Sequence, residues 1–150
     1  MVETKVLKAS VQELIDRNWN LDEIKTRYAN LSQAKIPEKK LDRDKLIAAK
    51  QKILDRVQRR GEEYEYLSHS CAKGSALAVM EEFGLGNLEI IKALSPFPGF
   101  GMTGRICGAV TGGLIALGLY FGSDDVQDYE GNGRAMTAAR TFIPRFERQF

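Results

Sequence analysis

The chain has only two cysteines and one histidine in 150 residues. Two thiols make no disulfide scaffold, and so sparse a use of cysteine points to a reducing compartment. No CxxC is present, which excludes a zinc ribbon or a thioredoxin motif. No CxxCH is present, which excludes covalent c-type haem. With His69 as the single imidazole, no Ser-His-Asp arrangement can be read. Charge of one sign is also lacking. A formal net charge of +2 gives no bulk attraction for nucleic acid or a membrane surface. The opening residues Met1-Val2-Glu3-Thr4-Lys5-Val6 carry charge at once and lead into no apolar run, so no signal peptide is expected. The uncharged stretch Ile106 to Gly122 sits at the lower limit for a membrane span. Its glycines allow tight packing against neighbours, so it reads as a helix buried in a protein. The expected location is cytoplasmic, with no nucleic-acid partner and no membrane span.

What is present is helical periodicity, and no convincing strand. Leu7, Val11, Leu14, Ile15 and Trp19 recur at three- and four-residue steps and predict a helix over about residues 4–19. Asn20 followed by Glu23 reads as a capping box for a second helix, with Leu21, Ile24, Tyr28 and Leu31 as its apolar stripe. Pro37 and the run Glu38-Lys39-Lys40 mark a sub-boundary, giving an N-terminal helical hairpin (1–40) and a main helical domain (41–150). A long helix is expected from about Asp42, with Leu46, Ile47, Ile53, Leu54 and Val57 as its core face and Gly61 as its end or kink. Small residues from His69 to Ala78 predict a helix that another backbone approaches closely. A short helix follows over about Leu88 to Leu94. The last helix is expected from about Asp124, with Asp124, Asp125, Asp128 and Glu130 near its start and Pro144 kinking or shortening it.

Two segments carry chemistry. Gly99-Phe100-Gly101-Met102-Thr103-Gly104 matches G-x-G-x-x-G. The preceding Leu94-Ser95-Pro96-Phe97-Pro98 cannot be a central strand, so a dinucleotide fold is rejected. Gly99, Gly101, Gly104 and Arg105 remain candidates for holding an anion or small polar ligand, with Phe97, Phe100 and Met102 alongside. Cys107 then opens the apolar helix. A thiol at a helix N-terminus feels the positive end of the dipole and can be held as thiolate. Cys71 lies 36 residues earlier, within the small-residue run. His69 is two residues from Cys71, and on one helix those positions face different ways.

Taken together, Ser70-Cys71-Ala72-Lys73-Gly74 and Cys107-Gly108-Ala109-Val110-Thr111-Gly112-Gly113, with the glycine loop between them, resemble the C_GCAxxG_C_C family, to which redox activity is attributed. The resemblance covers about Tyr64 to Phe150. It implies a compact α-helical domain and a redox or metal-cofactor role centred on cysteines, two of which map onto Cys71 and Cys107. The family's other two normally lie further toward the C-terminus, and no cysteine follows Cys107 in this sequence.

The expected fold is therefore all-α, a compact helical bundle with the glycine-rich loop between buried helices. Two functional expectations stand side by side. In one, Cys71 and Cys107 are redox thiols active in electron transfer, or supply ligands to an iron–sulfur or other metal centre; a homo-oligomer would bring four thiols together. In the other, the chain is a helical accessory subunit that has lost the redox site and docks a protein partner.

Overall fold

The computed structural model describes residues 2–34, 36 and 39–149. Among them are nine helices and no strand, as the periodicity predicts. They are α1 (Val2–Asp16), α2 (Leu21–Ala34), α3 (Arg43–Ala48), α4 (Lys50–Ser68), α5 (Cys71–Phe83), α6 (Leu88–Ala93), a single turn α7 (Gly99–Met102), α8 (Gly108–Phe121) and α9 (Tyr129–Gln149). No described helix is long and apolar enough to cross a membrane. The Leu7 side chain and the break at Pro37-Glu38 lie outside the described residues.

Helix α5 is the centre of the bundle, and its small residues set the geometry on both sides. A methyl group on Gly74 would lie 2.9 Å from both the Gly61 carbonyl oxygen and the Glu65 amide nitrogen. Together with the approach of Ala78 to Gly61, this fixes α4 and α5 as antiparallel neighbours at backbone contact. On its other side α5 meets α8. A methyl on Gly108 would lie 2.9 Å from the Ala72 nitrogen, and one on Gly112 would lie 2.5 Å from the Ala72 oxygen and 3.0 Å from the Ala76 nitrogen. The pairs advance together along both chains, so α5 and α8 run parallel. Helix α9 folds back along α8, with the Phe142 ring seated over Gly113.

Apolar side chains close the core around this stack. Tyr64, Met80 and Leu94 are buried, joined by Leu77 and Ile91 and, from the N-terminal segment, by Ile24, Leu31 and Ile36. Asn20 caps α2 as expected: its side chain accepts from the Glu23 amide and donates to the Glu23 carboxylate. Polar groups then tie α2 to α4 and α5. Arg27 pairs with Glu63 and donates to the Tyr64 hydroxyl at 3.2 Å, and that hydroxyl donates to Glu81 at 2.7 Å. Arg60 and Arg56 hold Glu82 at 2.8 and 2.5 Å, while Lys39 donates to the last carbonyls of α5, at Glu81 and Glu82.

Several elements differ from the sequence expectation, each for a physical reason. The first helix ends at Asp16, short of Trp19, and its stripe is only partly covered: Leu14 and Trp19 are half-buried, while Val11 and Ile15 are exposed. The long helix breaks at Ala49, where φ −97° and ψ 10° interrupt the turn between α3 and α4, rather than at Gly61. Gly61 stays inside α4 because α5 packs against it. Ile47 and Leu54 are exposed, since the face that α5 covers runs through Ile53, Val57 and Tyr64. The last helix begins at Tyr129, with the Asp128 carboxylate accepting from the Gly131 amide. Pro144 is carried inside α9 without ending it; it falls near the C-terminal end, where few further turns depend on it.

Two outcomes follow for stability. Gly112→Ala forces a methyl into the α5 backbone and is expected to lower unfolding free energy by about 2–3 kcal/mol. Gly118→Ala, with nothing within 4 Å, is expected to raise it by about 0.5–1 kcal/mol through helix propensity. Urea unfolding of the two variants checks the contrast. The Arg56 hydrogen bond, against the opposing effect of burial, holds the Glu82 carboxyl below the usual range. Its stabilising contribution is thus complete above the ordinary carboxylate range and is lost as pH falls through the depressed folded value. Glu82→Gln is expected to cost about 1–2 kcal/mol at neutral pH, and progressively less in acid, in urea titrations across pH.

Candidate functional site

The two cysteines stand at the starts of neighbouring helices. His69, at the C-cap of α4, adopts the left-handed conformation (φ 49°), and its amide donates to the Glu65 carbonyl. Ser70 then caps α5, its hydroxyl accepting from the Lys73 amide at 3.3 Å. Cys71 therefore falls in the first turn of α5, not inside a helix begun at His69. Cys107 is the N-cap residue of α8 and its carbonyl accepts from the Val110 amide at 3.0 Å, while its thiol makes no capping hydrogen bond.

Because α5 and α8 are parallel and in backbone contact, both thiols lie at the same end of the bundle. A methyl on Gly108 would lie 2.5 Å from the Cys71 Sγ. The sulfur of Cys71 thus rests against the α-carbon of the residue that follows Cys107. Glycine at 108 makes that seat; any side chain there would displace the sulfur. Both thiols are free: Cys71 is half-buried and Cys107 exposed. The N-termini of both helices therefore lie at this end too. Ser75 completes the seam. Its hydroxyl turns back to the Cys71 carbonyl at 2.7 Å and lies in the space that a side chain on Gly112 would fill.

The glycine loop precedes Cys107 and is wound on itself. Gly99, Gly101 and Gly104 all take positive φ, and so do Phe100 (53°) and Met102 (60°). For a bulky residue this conformation costs about 1–3 kcal/mol. The amides of Phe100, Gly101, Met102 and Gly104 donate to Phe97, Pro96, Pro98 and Gly99 carbonyls, within about 3 Å each. These amides are therefore engaged inside the loop rather than aimed at a ligand. Arg105 is exposed and makes no ion pair among the described residues. The loop leaves Phe100, Met102 and Ile106 exposed next to Cys107.

A metal centre within one chain lacks donors. No group of three or more His, Cys, Asp or Glu among the described residues is arranged to hold a metal ion, so His69 does not join the two thiols. Two thiolates fall short of a tetrahedral site or a four-cysteine cluster.

Sequence reasoning missed Glu65, which lies one turn before the His69 C-cap of α4. One of its carboxyl oxygens is buried with no hydrogen-bond partner. Burial raises its pKa, with the charge of His69 acting in the opposite sense. Nothing in the local pattern marks Glu65, since its surroundings come from α1 and the Trp19 turn, distant in sequence.

Fold and site together define a helical domain with paired thiols at the starts of two parallel helices. Residues 69–150, more than half of the chain, match the family described as "Putative redox-active protein (C_GCAxxG_C_C)". The chain belongs to the C_GCAxxG_C_C family. No curated protein and no solved structure gives a significant match to it.

The difference in exposure has a direct consequence. Under limiting alkylating reagent, Cys107 is expected to be modified several-fold faster than Cys71, as read by peptide mass spectrometry. Gly108→Ala is expected to speed modification of Cys71 by pushing its sulfur from the seat.

Proposed function

We propose that this protein is a thiol redox carrier in which Cys71 and Cys107 cycle between dithiol and disulfide. The family description supports a redox role. The single observation that carries the pair is the Cys71 sulfur resting against Gly108, one residue from Cys107, at the shared N-terminal end of α5 and α8. Exposure sets the order of events. The Cys107 thiolate attacks a disulfide of a partner thiol compound, forming a mixed disulfide and releasing one partner thiolate. Cys71 then attacks the Cys107 sulfur, forming the Cys71–Cys107 bond and releasing the second partner thiolate. Two electrons and two protons pass from the protein to the partner, and a reducing dithiol reverses the cycle. A reducing, cytoplasmic compartment suits this chemistry.

Residues 41–150 form the working domain in this reading, and residues 1–40 an extension packed on it. Ile24, Leu31 and Ile36 in the shared core and the Arg27–Glu63 pair support that packing.

A second reading, a helical accessory subunit, is favoured by a different observation. Tyr129, Met136 and Ile143 recur every seven residues on α9 and are exposed, a stripe suited to a helical partner or a second copy.

Oxidised glutathione and alkylation mass spectrometry test the redox reading. The wild type is expected to lose two titratable thiols and two hydrogens with no added mass. Cys71→Ser is expected to stop at a stable glutathione adduct on Cys107. Retention of both thiols under oxidant, or an identical response from Cys71→Ser and Cys107→Ser, overturns the disulfide cycle. Stoichiometric iron or zinc in an anaerobically purified dimer would replace it with a four-thiol metal site between two copies. Full cellular activity of the double serine variant would favour the accessory reading.

A further inference from the structure

A partly enclosed cavity lies where α2, α4, α5 and α6 meet. Lys73 and Leu77, one turn apart on α5, line it together with Tyr64 and Leu67 of α4, Tyr28 of α2 and Ile91 of α6. Its volume is about 260 Å³. That falls below the range of about 300–1,000 Å³ typical of drug-sized ligands, so it suits a smaller molecule. The thiol chemistry does not use this space. The Cys71 sulfur meets α8, and Lys73, two residues further on, faces another way.

The walls are largely carbon, with Tyr64, Leu77 and Ile91 buried. The polar groups are few, and two of them are uncommitted. Lys73 is half-buried, and its ammonium makes no ion pair or hydrogen bond among the described residues. Tyr28 is half-buried too, and its hydroxyl has no hydrogen-bond partner among the described residues. The other two hydroxyls are engaged. Tyr64 donates to Glu81, and Ser68 donates to the Tyr64 carbonyl, each at 2.7 Å. No acid among the described residues lines the cavity, and Glu81 beside it is already paired with Arg27 and Arg60. One positive charge and one free hydroxyl thus border an apolar space with no negative counterpart. Lysine drawn from water into such surroundings is ordinarily paired.

We propose that this cavity binds a small organic carboxylate, with Lys73 and Tyr28 donating to the carboxylate and Leu67, Leu77 and Ile91 enclosing the carbon body. The ligand supplies what the cavity lacks, an acceptor for two free donors and a single compensating charge. Charge-assisted hydrogen bonds in a partly desolvated place are the strong kind. The lining also sets the selectivity. An amine would meet Lys73 unfavourably. A neutral alcohol would accept a hydrogen bond without balancing the charge. Inorganic phosphate would bring more charge and more oxygens than one ammonium and one hydroxyl can satisfy, and would leave the apolar walls uncovered.

The test uses the full chain and benzoate, with benzyl alcohol, benzylamine and inorganic phosphate as counterparts. Calorimetry gives the affinities, and amide chemical shifts place the ligand. Benzoate is expected to bind saturably, about tenfold or more tighter than each counterpart. The amides of Ser68, Lys73 and Ile91 are expected to shift with it. Lys73→Met is expected to bring benzoate and benzyl alcohol to equal affinity. Tyr28→Phe, which removes a single oxygen, is a second readout and is expected to weaken benzoate several-fold. Absence of saturable benzoate binding overturns the proposal, as does equal binding of the alcohol or the amine by the wild type. Phosphate binding as tight as benzoate would replace it with an inorganic-anion site. Undiminished benzoate affinity in Lys73→Met, or shifts confined to residues away from the cavity, overturns it too.

Discussion

Backbone contact along both sides of α5 is the constraint on which the molecule depends. Gly74 admits the α4 backbone at one side, and Gly108 and Gly112 bring α8 against Ala72 and Ala76 at the other. Helices that approach this closely cannot slide without a clash, so their register is fixed by shape. That register carries the thiols. A shift of one turn between α5 and α8 would separate Cys71 from the residues around Cys107 by about 5 Å. The same small residues that deny α5 large side chains on two faces thus define the relation between the two sulfurs.

The two ends of α5 have different tasks. Its C-terminal half is fastened by charge: Glu81 and Glu82 meet Tyr64, Arg56 and Arg60, and Lys39 caps the last carbonyls. The chain from Arg27 through Tyr64 to Glu81 also links α2 to this end. Its N-terminal turn, by contrast, has only the Ser70 cap and the glycine seat for the Cys71 sulfur. Ion pairs are thus placed away from the thiols, where they anchor the helix without competing for the sulfur. The strained loop at Phe100 and Met102 then delivers Cys107 to the same end, outside the helix it caps.

Much of the fold was legible from residues alone because local rules agreed. The Asn20 cap, the α2 stripe and the start of α8 at Cys107 all rest on spacing within a few residues. The α1 stripe failed as a core signal at Val11 and Ile15, which no described element covers. Gly61 failed as a helix end because it continues α4, where its carbonyl lies against Gly74 of α5. The glycine loop resembled a ligand cradle in its letters, yet its amides close upon their own carbonyls.

The sequence by itself determined an all-helical chain, the family motif and the identity of its two thiols, since periodicity, caps and short motifs are local properties. Only the tertiary structure decided that α5 and α8 run parallel, that both thiols start their helices at one end, and that Cys71 sits against Gly108. It also decided that one carboxyl oxygen of Glu65 is buried without a donor. These relations join residues tens of positions apart, and packing between backbones, which no local pattern records, is what brings them together.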